Sequence, residues 1–215
     1  MKDNIVFATT NARKVQDLKE IVKSKKLNFN ILTMEDIGWD RGEIEEDGTT
    51  LEENSMIKAR AVQEFCREKH ILYPVMADDA GLFVRALNGE PGIRTARYAD
   101  EERKANPDLP KFEIVNKLLR NLEGIEDRYA EYRCAITCIF PNNSVIVERG
   151  KTAGSIAKEM DKNIVKPYFY TVFVPEGKNK TMSQLSYEEI QDTYRLKALG
   201  NIFIKISKIL EDEGR

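Results

Sequence analysis

The sequence predicts an α/β protein built on a mixed β-sheet, and three observations predict it. Short apolar runs of strand character alternate with helical-period stripes in the first half of the chain, the pattern of strands joined by helices. Further on, residues 129–140 and 144–149 read as two strands split by Pro141-Asn142-Asn143, an antiparallel hairpin. The end of the chain carries one long amphipathic stripe. Parallel strands from the first signal and antiparallel strands from the second make the sheet mixed.

Each element has its own justification. Ile5, Val6, Phe7 and Ala8 form a continuous apolar run with β-branched and aromatic content, a buried strand ending at Thr9-Thr10-Asn11. The period then changes: Val15, Leu18, Ile21 and Val22 share one helical face, and Asn11 stands where a side-chain oxygen caps the first turn. A second helix opens on the capping-box pattern Thr50-Leu51-Glu52-Glu53 and continues through the stripe Ile57, Ala61, Val62, Phe65. Residues 73–77 read as a strand that stops at Asp78-Asp79. Leu82 to Leu87 resumes an extended or mixed apolar pattern before the turn Asn88-Gly89-Glu90-Pro91-Gly92. Ile114, Val115, Leu118, Leu119 and Leu122 mark a third helix, residues 170–174 a further strand, and Leu196, Leu199, Phe203, Ile206 and Leu210 a last helix that faces the core.

Composition narrows the function. Among 215 residues, 34 Lys and Arg against 36 Asp and Glu give a formal charge of −2, which argues against a basic nucleic-acid binder or a membrane-surface protein. At 41% apolar residues the chain is long enough to bury a sizeable core. Its 3 Cys are too few and too odd for a disulfide framework, so reduced thiols and a cytoplasmic location are expected. The apolar run after Met1-Lys2-Asp3-Asn4 is too short for a signal peptide, and no later run reaches membrane-spanning length. With no linker and no repeat, residues 1–215 are expected to form one domain.

Two segments have the chemistry of a site. Thr9-Thr10-Asn11-Ala12-Arg13-Lys14 places small polar side chains and two cations at a helix start, where unpaired N–H groups and the helix dipole favour phosphate. Taken alone, the same segment reads first as an ordinary N-cap with solvated basic residues. Asp78-Asp79 puts two like charges on neighbouring residues behind an apolar strand. A divalent cation would relieve their repulsion, since Mg²⁺ takes one or two carboxylates and fills its shell with phosphate and water. Glu45-Glu46-Asp47 is a further source of ligands. Solvated loop acids are the alternative, and convergence of the acids with the phosphate turn is what separates the two.

The remaining candidates point to structure. His70, the only His, lies in the charged stretch Arg67-Glu68-Lys69 at a helix end, so Cys-His catalysis and His-based zinc sites are disfavoured. Cys134 and Cys138 fall on one face of a strand as small buried residues. Trp39 is read as packing and Glu53 as a cap.

The ordered motifs resemble the inosine triphosphate pyrophosphatase family, the pyrophosphatases of non-canonical purine nucleoside triphosphates. The resemblance rests on residues 5–14, on Gly48-Thr49-Thr50-Leu51-Glu52-Glu53-Asn54-Ser55 through Lys58-Ala59, and above all on Ala77-Asp78-Asp79-Ala80-Gly81-Leu82 with Leu87-Asn88-Gly89-Glu90-Pro91-Gly92 and Ala96-Arg97-Tyr98. Leu118-Leu119-Arg120-Asn121-Leu122-Glu123-Gly124 and Gly150-Lys151-Thr152-Ala153-Gly154 extend it. It implies an elongated mixed sheet flanked by helices, two lobes with a central substrate cleft, and a homodimer. It also implies Mg²⁺-dependent cleavage of ITP, dITP or XTP to monophosphate and pyrophosphate. By position, Thr9, Thr10, Asn11, Arg13, Lys14 and Lys58 would contact phosphates, and Glu46, Asp78 and Asp79 would bind metal. Asp79 would activate water with Lys14 as the second catalytic group, and Ala80, Phe169, Tyr194 and Arg195 would contact the rest of the substrate.

Departures gather where the family holds the base. Its aromatic-Gly-aromatic-Asp-Pro stretch corresponds to Pro167-Tyr168-Phe169-Tyr170-Thr171, its Ser-His-Arg to Thr193-Tyr194-Arg195, and Glu189 stands where a Lys is usual. Arg195 survives, and a guanidinium donates to the keto oxygen that separates hypoxanthine and xanthine from adenine. Tyr168, Phe169 and Tyr170 are aromatic enough to stack on a base, and equally suited to a core. The triphosphate chemistry therefore reads more clearly than the base, and two alternatives stay open: a hydrolase of another modified or pyrimidine nucleotide, and a nucleotide-binding protein without catalysis.

Overall fold

The computed structural model describes residues 2–110, 112–161 and 168–212. In chain order its elements are β1 (Asp3–Phe7), α1 (Ala12–Ser24), β2 (Phe29–Leu32), α2 (Leu51–Glu68), β3 (Val75–Val84), β4 (Pro91–Gly92), α3 (Asp100–Ala105), α4 (Glu113–Asn121), β5 (Tyr129–Ile139), β6 (Val145–Ile156), β7 (Phe173–Pro175), α5 (Tyr187–Ile190) and α6 (Tyr194–Asp212). The 7 strands form one mixed sheet ordered β2-β1-β3-β5-β6-β7, with β4 paired to β3. β1 runs parallel to both β2 and β3, while β3–β4 and β6–β7 are antiparallel. The predicted fold class is the observed one.

The chain divides into two compact units. One comprises Met1–Asp79, Cys134–Gly150 and Arg195–Arg215, the other Ala80–Arg133 and Lys151–Tyr194. β3, β5 and β6 each contribute residues to both. In the first unit, Val6 of β1, Ala8 just beyond it, and Val75 and Ala77 of β3 are buried in one cluster with Ala59, Val62 and Phe65 of α2. Leu199, Phe203 and Ile206 of α6 are buried too, with the Phe203 ring stacked on Phe29 of β2 at 5.1 Å. The periodic apolar stripes thus become buried helix faces. The helix starts also follow their sequence signals: Asn11 accepts from the N–H groups of Arg13 and Lys14, and Thr50 and Glu53 close a reciprocal capping box.

Three segments depart from the reading. β3 does not stop at Asp78-Asp79 but passes through them to Val84, so the acids sit mid-strand. The strand continues because the charge of Asp78 is met by Lys14 and Arg195. It also continues because Gly81 allows an approach to β4 that a side chain forbids: a Cβ there would lie 2.3 Å from the Gly92 carbonyl O. Residues Tyr168–Thr171 form a 3-10 turn, and the strand expected over 170–174 is confined to Phe173–Pro175. β2 had no clear signal, since Asn28 and Asn30 interrupt its apolar residues. Pro167 lies outside the described residues. Among the described residues no helix is long and apolar enough to cross a membrane.

Candidate active site

β1 delivers the opening turn. The Ala8 N–H donates to the Met76 carbonyl of β3, and the chain then turns at Thr9 into α1. Asn11 Oδ1 accepts from the N–H groups of Arg13 (3.1 Å) and Lys14 (3.3 Å), while the Asn11 N–H donates to Thr9 Oγ1. The cap therefore uses two of the helix-start donors, and Thr10 stays exposed. The capping reading and the phosphate reading meet in Lys14. Its ammonium lies 3.0 Å from Asp78 Oδ1 as an ion pair and donates to the Asp78 backbone O at 3.4 Å.

Neighbouring residues of a strand point to opposite faces, and Asp78 and Asp79 have opposite environments. Asp78 is 1% exposed, with Arg195 Nε donating to its Oδ2 at 2.7 Å and Lys14 on its other oxygen. Its Oδ1 is paired by charge but accepts no hydrogen bond. Burial works against its charge, yet Lys14 and Arg195 prevail and hold the carboxyl well below the ordinary carboxylate range. Asp79 is partly exposed, and burial pushes its carboxyl up, opposed by Lys58 and Lys14.

α2 supplies the other half. Asn54 and Lys58, one turn apart on the same helix face, both reach Asp79: Asn54 Nδ2 donates to Oδ2 at 3.2 Å, and Lys58 Nζ is 3.6 Å from Oδ1. Lys58 also donates to Glu46 Oε2 at 2.6 Å, so one ammonium stands between Glu46 and Asp79. Asn54 Oδ1 accepts from the Gly48 N–H at 2.9 Å, which fixes the amide with its NH₂ toward Asp79.

The structure thus brings together Thr9, Asn11, Lys14, Glu46, Lys58, Asp78, Asp79 and Arg195 within the first unit. It does not bring the three acids onto one point. Glu46 and Asp79 share Lys58 while Asp78 is committed to Lys14 and Arg195, and among the described residues no group of three His, Cys, Asp or Glu converges to hold a metal. Ala80, Phe169 and Tyr194 belong to the second unit. There Phe169 is buried, with its ring 6.4 Å from that of Tyr98. Tyr194 stacks on Tyr132 at 4.9 Å, shares a 2.7 Å hydroxyl hydrogen bond with Tyr170, and donates its N–H to Thr152 Oγ1. Glu189 caps α5 through Ser186 and pairs with Lys178.

Sequence reading missed two residues of this network. Asp17 accepts from Arg195 Nη1 at 2.7 Å, and Asn54 steadies Asp79. Asp17 carried one signal, a carboxylate one turn after Lys14 on α1; Asn54 carried none beyond its place in the second motif. The three thiols are buried and free of disulfides, with burial pushing Cys66 up to about 11 and Cys134 up to about 12.

A sheet entered by a capped lysine turn and crossed by a paired-acid strand is the frame of a nucleotide-handling enzyme, and comparison with known proteins makes the kinship specific. The chain matches the Ham1 family over residues 5–203. It is 36% identical over 209 residues to a dITP/XTP pyrophosphatase of Clostridium perfringens, covering 96% of this chain and 98% of that one. The Bacillus subtilis dITP/XTP pyrophosphatase is 35% identical over 214 residues, covering 98% of each. The solved structure of the Staphylococcus aureus Ham1 protein superposes with a TM-score of 0.77 at 32% identity, over 96% of this chain and 99% of that one. The chain belongs to the Ham1 family.

Proposed function

We propose that this protein is a Mg²⁺-dependent nucleoside triphosphate pyrophosphohydrolase that converts the deaminated purine triphosphates ITP, dITP and XTP to monophosphate and pyrophosphate. The observation that carries it is the meeting, in one unit, of Lys14 with Asp78 and of Lys58 with Glu46 and Asp79. Two ammonium groups, one at the head of α1 and one on α2, would neutralise phosphoryl oxygens, the main demand of phosphoryl transfer. Thr9, Thr10 and Arg13 complete the phosphate contacts.

Asp79 is the base in this reading. It accepts a proton from the water that attacks the α-phosphorus, the bond from that phosphorus to the bridging oxygen breaks, and pyrophosphate leaves with the electron pair. Asn54 steadies one oxygen of Asp79 while the other faces Lys58. Glu46 and Asp79 each turn one oxygen to the Lys58 ammonium, and since Mg²⁺ uses only one or two carboxylates beside phosphate and water, these two are the residues that would hold it. Bound there, the metal would neutralise developing charge on the phosphates. Asp78, without access to solvent, serves to hold Lys14. For Ala80, Phe169 and Tyr194, and for the altered residues Tyr170 and Glu189, all in the second unit, a part in recognising the base is what the family resemblance supports. The protein works as one catalytic domain, as a homodimer, in the cytoplasm; its three unbridged thiols support a reducing compartment.

The test is pyrophosphate release with Mg²⁺ from inosine, xanthosine, adenosine, guanosine and pyrimidine triphosphates. Release from the deaminated purines ahead of the others is expected. Preference for a pyrimidine would redirect the substrate, and tight triphosphate binding with no release from any of them would make the protein a nucleotide binder.

A further inference from the structure

β2 ends the sheet on one side, and among the described residues no strand pairs with its outer edge. The Asp3 N–H donates to the Asn28 carbonyl O at 3.0 Å, and the register sets Asp3 opposite Phe29. In a parallel ladder alternate residues turn their backbone groups to the neighbour, so Asn28, Asn30 and Leu32 face β1 while the N–H and C=O of Phe29 and Ile31 point outward. The side chains of Phe29 and Ile31 are buried, which holds that edge in place. β2 itself carries no charged residue, so it lacks the charged guard that commonly keeps an edge strand from pairing with another chain.

Lysines flank the edge instead. Lys2, Lys19, Lys23 and Lys26, all exposed, line a groove of about 610 Å³ together with Phe29 and Ile31. None of the four forms an ion pair among the described residues. Lys19 feels Asp36 without pairing with it, and Glu20, the one acid of residues 19–26, accepts from Gln16 Nε2. The dipole at the end of α1 accounts for Lys23, in the last turn, but not for Lys2 or Lys19. Nor does it account for Lys26. That residue closes α1 at a φ of 51°, its N–H donating to the Lys23 carbonyl while the Leu27 N–H donates to that of Val22. Glycine is the residue this cap admits without strain, so an ammonium stands here against backbone preference.

We propose that the β2 edge and its lysines form a docking site for an extended acidic segment of a partner protein, added to the sheet as a further strand. The edge offers donors and acceptors in alternation, which another extended backbone satisfies and a phosphate chain does not. The four ammonium groups select carboxylate side chains on that segment. None of these lysines belongs to the proposed hydrolytic machinery, so the site stands or falls without it.

The full-length chain is titrated with a blocked peptide alternating glutamate and valine, with the same peptide N-methylated throughout, and with inorganic tripolyphosphate. Binding is read from NMR amide shifts and from hydrogen exchange at Phe29 and Ile31. The acidic peptide is expected to shift both amides and to slow their exchange about tenfold at saturation, since both gain a partner on pairing. The variant K19Q/K23Q/K26Q should bind it about tenfold more weakly, as the loss of three exposed ion pairs predicts. High salt should weaken the wild type in the same direction. The N-methylated peptide, which keeps the carboxylates but cannot donate, should not bind. Equal binding of the N-methylated peptide overturns the proposal, as does binding that leaves exchange at Phe29 and Ile31 unchanged. Tripolyphosphate binding that is lost in the triple variant would make the groove a phosphate site and overturns it too, and so does the absence of any binding of the acidic peptide at millimolar concentration. The N-methylated and exchange arms use the wild type, so they decide even if the triple variant misfolds.

Discussion

In the unit that carries the opening turn, Asp17, Arg195, Asp78 and Lys14 form a chain of buried or half-buried ion pairs. The second unit also has a carboxylate with several partners, Glu131, which accepts from Tyr129, Arg133 and Lys151 and is held at about 2 against its own burial. Its cations, however, are open to water, with the Arg133 side chain 48% and the Lys151 side chain 62% exposed. What that unit buries is aromatic: Tyr132 stacks on Tyr194 and meets Tyr170 and Phe173 edge-on. Buried pairs resist screening and hold a fixed geometry, whereas exposed pairs yield to salt and solvent. The first arrangement holds Lys14 and Asp78, two of the residues that match the family, and the second holds the departures Tyr170 and Tyr194.

The comparison breaks most decisively at Asp79. Asp79→Asn preserves shape but removes the proposed base, and kcat is expected to fall about 10²- to 10⁴-fold, the usual worth of a general base. Pyrophosphate release measured beside thermal unfolding checks it; a well-folded variant with normal turnover would remove Asp79 from the mechanism.

Next comes Asp78→Asn, whose effect is on stability. It leaves two cations facing a neutral side chain in the interior, a loss of roughly 3 to 5 kcal/mol, readable from urea unfolding at neutral pH. The pH dependence carries a sign. The folded carboxyl lies below its unfolded value, so its contribution is complete above roughly pH 4 and drains as pH falls toward the folded value. The gap between wild type and variant should therefore narrow below roughly pH 4, and a constant gap would mean that Asp78 stabilises by shape instead of charge.

The smallest effect tests the rebuilt side. Tyr194→Phe and Tyr170→Phe each remove the shared hydroxyl hydrogen bond, at about 1 kcal/mol apiece. The double variant should cost less than their sum, because both singles lose the same bond. Simple additivity in unfolding measurements would show that the two hydroxyls act independently.

Legibility followed the range of the interaction. The caps at Asn11 and Thr50, the stripes of α1, α2 and α6, and the buried strand β1 are local matters, settled by residues within a turn or two of one another. The chemistry-bearing segments were visible for the same reason, since lysine at a helix start and adjacent acids announce themselves by type and spacing. The end of β3 was misread because two charges signal a strand end only when nothing answers them, and the answers, Lys14 and Arg195, come from residues distant in the chain.

The sequence by itself determined an α/β mixed sheet, the positions of its main helices, and which short segments carry a lysine turn and adjacent acids, because hydrophobic period and residue type act over short stretches of chain. Only tertiary structure decided that Asp78 and Asp79 part company on opposite faces, that Lys58 stands between Glu46 and Asp79, and that Arg195 turns inward to Asp17. Those outcomes depend on which charge lies within about 4 Å of which, in surroundings where Coulomb energy is large and steeply dependent on separation. Separation in space is what folding sets.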